Sequence, residues 1–352
     1  MTTDLKDILE RETIEASAPC RLDMGGTLDI STFFLQMAFC EPCTFNIAVN
    51  LRTRIRLFPY RKGWIKISSE GFKSLEFKAD SASFDNRLGL MFAIVSHFNI
   101  SGIHVDIASS SPPRSGMGGS SSAAVALVFA LSHALSLATT YKPLSRKQTA
   151  LLAHSIEESV AGVPCGYQDH LAAVYGGINA WYWTGKTDGS PFTRRVIVKK
   201  PFAEVVNQHV IAAYCGIPHD SKDINTAWFR QFIAGKSRRT WQEVARLTRE
   251  FVAAVGRHDF RRAGELMNRE VVIRRQMTPH VLDETGSALV AEAVAYQCGA
   301  RFTGAGGGGC IWAIGDSAAI KKTQYSWDAI LERNPSAFLL DIAIDNKGVA
   351  LP

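Results

Sequence analysis

Between an alternating strand and a long apolar helix this chain places Pro112-Pro-Arg-Ser-Gly-Met-Gly-Gly-Ser-Ser-Ser-Ala-Ala124. Upstream, Ile103, Val105 and Ile107 alternate with polar neighbours, the period of a strand with one face on a core. Downstream, residues 120–137 are rich in alanine and leucine and read as a buried helix. Gly116, Gly118 and Gly119 let the backbone approach a ligand with its N–H groups exposed. The helix that follows directs its positive end at the same spot, so the element is an anion site. Ser120, Ser121 and Ser122 add hydroxyls suited to phosphate oxygens or a Mg²⁺ ion. A flexible Gly/Ser linker is the competing reading, and the apolar run immediately behind the loop argues against it. Gly185-Lys186-Thr187 imitates the end of a Walker-A loop, but Ala180 stands where its first glycine belongs, so this is a turn.

A chain of 352 residues is long for one core and suits two domains. The composition, 46% apolar and 20% charged, is that of a globular protein. The net charge of +6 is scattered, with no basic stripe interleaved with aromatics, so no nucleic-acid partner is expected. The first residues are polar and do not form a signal peptide. The longest apolar run, residues 123–134, is broken by Ser132 and His133 and reads as a core helix, so no membrane span is expected. Seven cysteines without a secretion signal read as free thiols in a reducing cytoplasm, Cys40 and Cys43 included.

Residues 47–57 alternate apolar and polar and mark a strand; residues 64–67 and 75–77 are short strands, and residues 88–98 have helical spacing. A helix with Ser145 as N-cap runs to about residue 161, and another begins near Gln168. The loop at residues 184–191 is the expected divide, giving domains over 1–190 and 200–352. The second half reads as a strand at 208–214, helices over 223–275 and 288–297, a glycine tract, a helix near Ser317 and a strand at 337–344. Strands and helices mix in both halves, with hairpin-like pairs early on, so the class is α+β and not a doubly wound sheet.

Three motifs in order resemble the GHMP kinases (galactokinase, homoserine, mevalonate and phosphomevalonate kinases). They are Ala18-Pro-Cys-Arg-Leu-Asp-Met-Gly-Gly-Thr-Leu-Asp29, the loop above, and Thr303-Gly-Ala-Gly-Gly-Gly-Gly-Cys310. The segment from Ser155 to Gly177, with Gly166-Tyr-Gln-Asp169, is similar to the bacterial heptose-phosphate kinases. The resemblance implies a two-domain fold, an N-terminal ribosomal-protein-S5-like domain and a C-terminal ferredoxin-like α+β domain, with the active site in the cleft between them. It implies ATP and Mg²⁺, a small-molecule sugar or sugar phosphate as partner, transfer to an anomeric hydroxyl, and a cytoplasmic enzyme; a homodimer is left open.

Carried over residue by residue, the resemblance makes Asp169 the group that accepts or orients the hydroxyl proton, with Arg21 beside it. Pro113, Ser115, Gly116, Met117, Gly118, Gly119, Ser120, Ser121 and Ser122 wrap the triphosphate. Ser122, with Ser121 as runner-up, joins Glu157 around Mg²⁺, a hard cation suited to carboxylate and hydroxyl oxygens. Gly25, Gly26, Asp29, Gly166, Gly306 and Gly307 fall on the substrate side. Apart from the resemblance, Ser221 or Lys222, at the head of the second-half helices, either adds a contact there or caps a helix. Two departures stand out: Thr27-Leu-Asp29 replaces a contiguous Thr-Asp, and Tyr167 stands where heptose kinases carry a lysine. A kinase for a non-sugar alcohol and a non-catalytic sugar sensor are the rival readings.

Overall fold

The computed structural model describes residues 5–186, 189–218 and 221–352. Seven strands form the first sheet: β1 (Ile14–Met24), β2 (Cys43–Pro59), β3 (Trp64–Ser69), β4 (Phe72–Lys78), β5 (Ile103–Ser109), β6 (Ile178–Trp183) and β7 (Phe192–Val198). Their order is β4-β3-β5-β2-β6-β7, with β1 also paired to β2, and every pairing except β3–β5 is antiparallel. A second, four-stranded sheet has the order β11-β8-β10-β9, from β8 (Val210–Tyr214), β9 (Gly299–Phe302), β10 (Cys310–Ile314) and β11 (Phe338–Leu340). Two mostly antiparallel sheets with interspersed helices make this an α+β fold, as the mixed patterning predicts.

The helices are α1 (Leu5–Arg11), α2 (Ser31–Met37), α3 (Gly89–His97), α4 (Gly119–Ala138), α5 (Arg146–Ala161) and α6 (Gln168–Tyr175) in the first half. The second half adds α7 (Ala203–Asn207), α8 (Ser221–Ile233), α9 (Arg238–Gly256), α10 (Phe260–Met277), α11 (Glu284–Ala295) and α12 (Ser317–Leu331). Ser145 caps α5 through a reciprocal capping box with Gln148. Helix α4 extends beyond the expected apolar run and does reach the length and hydropathy, 1.7 on average, of a membrane span. Its first turn is small Gly and Ser, and Ser132, within the helix, accepts from the Leu144 N–H at 2.7 Å. With 72% of its apolar window buried, it is the central core helix.

One apolar cluster fills the space between the first sheet and α3–α6, and another lies between the second sheet and α8, α11 and α12. A third joins them: Phe45 and Ile47 of β2 meet Leu247 and Phe251 of α9 and Trp312 of β10. This explains why burial alternates only in the second half of β2. Its first seven residues are buried on both faces. After β11 the chain returns to the first sheet. Ser17 and Ala350 exchange backbone bonds at 2.9 and 3.0 Å, and Arg52 donates to Ser17 O and Gly348 O and pairs with Asp345.

Candidate active site

The Gly-Ser loop runs from the end of β5 to the start of α4, and its glycines are fixed by what surrounds them. Gly118 has φ +76°, and a Cβ there would lie 3.1 Å from Asp169 Oδ2; at Gly116, φ +73°, it would lie 2.9 Å from Thr303 O. The loop is thus wedged between the start of α6 and the C-terminal glycine motif. No side chain caps α4, which leaves its first amides facing a cavity of about 950 Å³. Pro113, Ser115, Gly116, Gly118, Gly119, Ser120 and Ser121 line that cavity. Met117 does not: its side chain is buried in the joining core, and its carbonyl accepts from Arg21 N at 3.0 Å.

Ser122 also departs from expectation. Its hydroxyl donates to Pro19 O at 2.8 Å, away from the cavity. Ser121 Oγ instead donates to Glu157 Oε2 at 2.8 Å, and His170 Nε2 lies 2.7 Å from that oxygen. Burial alone would raise the Glu157 carboxyl, but His170 and Ser121 hold it below its ordinary value. An ionised carboxylate next to a hydroxyl, at the rim of an anion-binding helix end, fits a Mg²⁺ ion.

Asp169 sits in the first turn of α6, and Arg21 of β1 reaches it twice, through Nε at 2.7 Å and NH2 at 2.7 Å. The third guanidinium nitrogen donates to Gly116 O at 2.6 Å, so one side chain locks the loop to the carboxylate. Burial opposes the charge on Arg21, yet Asp169 and Asp23 raise its pKa above the usual arginine value. Asp29 is buried, and its Oδ2 accepts from Gln168 N at 2.9 Å. Burial pushes its carboxyl up to about 6, against the Gln168 hydrogen bond, with Asp169 adding to the rise. Gly166 is required here because a Cβ would fall 1.9 Å from Asp29 Oδ2. Asp29, Asp169, Gly26, Gly166 and Gln168 surround a second, smaller cavity of about 80 Å³.

The C-terminal glycine motif does pack on the loop, at Gly304, where a Cβ would lie 2.9 Å from Gly116 O. Gly304 and Ala305 face both cavities. Gly306 and Gly307 do not. The Gly307 N–H donates to Val281 O at 2.8 Å, and a Cβ on Gly306 would strike the same carbonyl at 2.5 Å, so they shape the turn. Gly25 likewise faces Thr248 of α9, 2.6 Å from a notional Cβ, and not the small cavity. Ser221 and Lys222 lie outside the described side chains, as Thr187 lies outside the described residues. All seven cysteines are free, and no group of three or more metal-ligating His, Cys, Asp or Glu occurs among the described residues.

Sequence reading missed Asp23, His170 and Arg301. Asp23 had a usable signal, since residues two apart on a strand share a face with Arg21. Arg301 and His170 reach the site only through tertiary packing. Tyr167 turns away from the small cavity; its ring stacks on His154 with centroids 3.7 Å apart and sits beside Trp183.

Residues 86–177 match the family described as GHMP kinases N terminal domain, a span that contains the loop, Glu157 and Asp169. A mevalonate kinase from Pyrococcus horikoshii is 26% identical over 338 residues, covering 85% of this chain and 88% of its own. A D-glycero-alpha-D-manno-heptose 7-phosphate kinase from Campylobacter jejuni is 27% identical over 230 residues, covering 60% and 62%. Over residues 86–177 the chain is similar to the GHMP kinases. Its fold matches Lactococcus lactis galactokinase with a TM-score of 0.71 at 16% identity, over 99% of this chain and 100% of that one. These named relatives make the chain a small-molecule kinase and imply ATP as the donor.

Proposed function

We propose that this kinase phosphorylates an uncharged, hydroxyl-rich acceptor, a sugar, on its anomeric hydroxyl. The observation that carries this reading is the excess of acceptors around the small cavity. Asp29 and Asp169 are carboxylates, and Gln168 Oε1 is buried without a partner. Buried acceptors call for donors, and a sugar supplies them from several hydroxyls. A carboxylate or second phosphate placed there meets two carboxylates, while Arg21 is already engaged by Asp169, Asp23 and Gly116 O. Tyr167, stacked on His154, offers no cation in place of the heptose-kinase lysine.

In this scheme the cavity beside the loop holds the nucleotide phosphates on the α4 amides, and Asp169 orients the attacking hydroxyl and accepts its proton. Arg21 holds Asp169 in place and lends positive charge where negative charge develops. Glu157 and Ser121 would hold Mg²⁺, which supplies charge neutralisation to the phosphates when bound. Glu157→Gln is expected to raise the Mg²⁺ concentration for half-maximal activity by roughly tenfold or more, read by metal titration at saturating ATP.

Phosphotransfer against galactose, fucose, manno-heptose with and without its 7-phosphate, mevalonate and homoserine tests the substrate. Turnover of an unphosphorylated sugar, with loss of its reducing end, is the expected result. Turnover confined to mevalonate or to a sugar phosphate overturns the reading. A non-sugar alcohol is the second reading, favoured by the mevalonate kinases among the relatives.

Asp29 sets an acid limb. With its carboxyl pushed up to about 6, kcat/KM for the sugar should fall as pH drops through that value, and Asp29→Asn should abolish the inflection. Stability moves the other way. A carboxyl whose folded pKa is raised from 3.8 to about 6 favours the fold below 3.8, and that contribution is lost as pH rises through 6. Asp29→Asn should therefore raise Tm at pH 8 while weakening sugar binding, which a melting curve and a KM measurement check together.

A further inference from the structure

We propose that Asp23 is a positioning residue for phosphoryl transfer, acting through Arg21 and Gly304 as the junction of a buried ionic chain. The inference rests on the reading that Arg21 and Asp169 serve the transfer step. Asp23 is fully buried on β1, and its two carboxylate oxygens have different tasks. Oδ1 accepts from Gly304 N at 2.7 Å and lies 3.3 Å from Arg21 NH1; Oδ2 lies 3.1 Å from Arg301 NH1. From Arg301 the chain continues to Glu270 at 3.4 Å, and Glu270 pairs with Arg274 at 2.7 Å. Arg274 NH2 then donates to Gly26 O at 2.7 Å, and Gly26 lines the small cavity. The chain thus begins at Asp169, crosses between the sheets and returns to the substrate side.

An ion buried without compensation is strongly unfavourable, so each link constrains its neighbours. Arg21 carries one positive charge against two carboxylates, Asp169 and Asp23. With Asp23 ionised, Arg21 need not be neutralised by Asp169 alone, which leaves Asp169 electron-rich toward a substrate hydroxyl. Asp23 also fixes the Gly304 amide, and through it the contact with Gly116 on which the phosphate loop rests. Removing the Asp23 charge pulls Arg21 wholly onto Asp169 and loosens the seat of the transferring group. Nucleotide and sugar contacts remain in place.

The test compares Asp23→Asn with the double variant Asp23→Asn/Arg301→Gln. Asparagine keeps the shape and an acceptor for Gly304 N–H, and the second change removes the arginine charge left uncompensated. For Asp23→Asn, kcat should fall by about 10²-fold, the scale of a small misplacement of reacting groups, with the nucleotide Kd by calorimetry and the sugar KM within about twofold. In the double variant Tm should recover toward the parent value while kcat stays low. Recovery of kcat together with Tm would show that Asp23 only supports the fold, and unchanged kcat in Asp23→Asn would equally overturn the proposal. Should Asp23→Asn fail to fold, the double variant alone decides by its kcat. Asp169→Asn run alongside separates the two readings: if it is fully active the underlying mechanism fails, whereas inactive Asp169→Asn with fully active Asp23→Asn sinks only this inference.

Discussion

Asp169→Asn is expected to lower kcat by about 10³-fold while leaving ATP affinity within about twofold. Asparagine preserves the volume and one acceptor for Arg21, so the start of α6 and the Gly118 contact should survive. What disappears is the charge that, in the proposed mechanism, orients the hydroxyl and receives its proton. A single-turnover assay with saturating sugar and ATP, alongside calorimetry for ATP, reads the two quantities separately. Turnover comparable to the parent would remove Asp169 from the mechanism. A matching loss of ATP affinity would instead make it part of the nucleotide seat.

Glu270→Gln is expected to give the largest loss of stability among these variants. Glu270 is fully buried and meets Arg274 through one oxygen and Arg301 through the other. Arg274 is flanked by the rings of Trp228 and Trp241, with its guanidinium 4.6 and 4.4 Å from their centroids. Neutralising Glu270 leaves Arg274 without a carboxylate in an apolar cage, and breaking a buried pair in this way costs about 3–5 kcal/mol. In a protein of this size that corresponds to a fall in Tm of roughly 10 °C. The double variant Glu270→Gln/Arg274→Met should lose less than the single one, since no uncompensated arginine remains against the two tryptophans. Thermal melts of the three proteins decide the point; an additive double variant would show that the pair is not coupled.

The parts of the site that were legible in the sequence are those whose signal is local. The loop and α4 declare themselves through glycines, serines and an apolar run within one stretch of chain, and the Ser145 cap of α5 needs only four residues. β1 was not assigned as a strand, although Cys20, Leu22 and Met24 alternate with Arg21 and Asp23; every residue of its second half is buried, so the alternation separates two packed faces and not core from solvent. Ser122 was preferred over Ser121 because spacing along a loop does not reveal helix phase. One residue in an α-helix turns the side chain by about 100°, enough to send Ser122 to Pro19 and Ser121 to Glu157. Gly306, Gly307 and Gly25 have partners, Val281 and Thr248, that lie far along the chain, and no local pattern announces such contacts. The place of Asp29 at the small cavity, by contrast, follows from a motif that ties it to Arg21 on adjoining segments.

The return of residues 341–350 to the first sheet bears on how the protein is made. Arg52 meets Asp345 and Gly348 across 293 and 296 positions of the chain, and Ser17 meets Ala350 across a still longer stretch. The Gly-Ser loop and Asp169 lie between these partners, so they leave the ribosome long before the stitch beside them can close. A chain cut before residue 341 would carry every motif of the site and still lack that clasp.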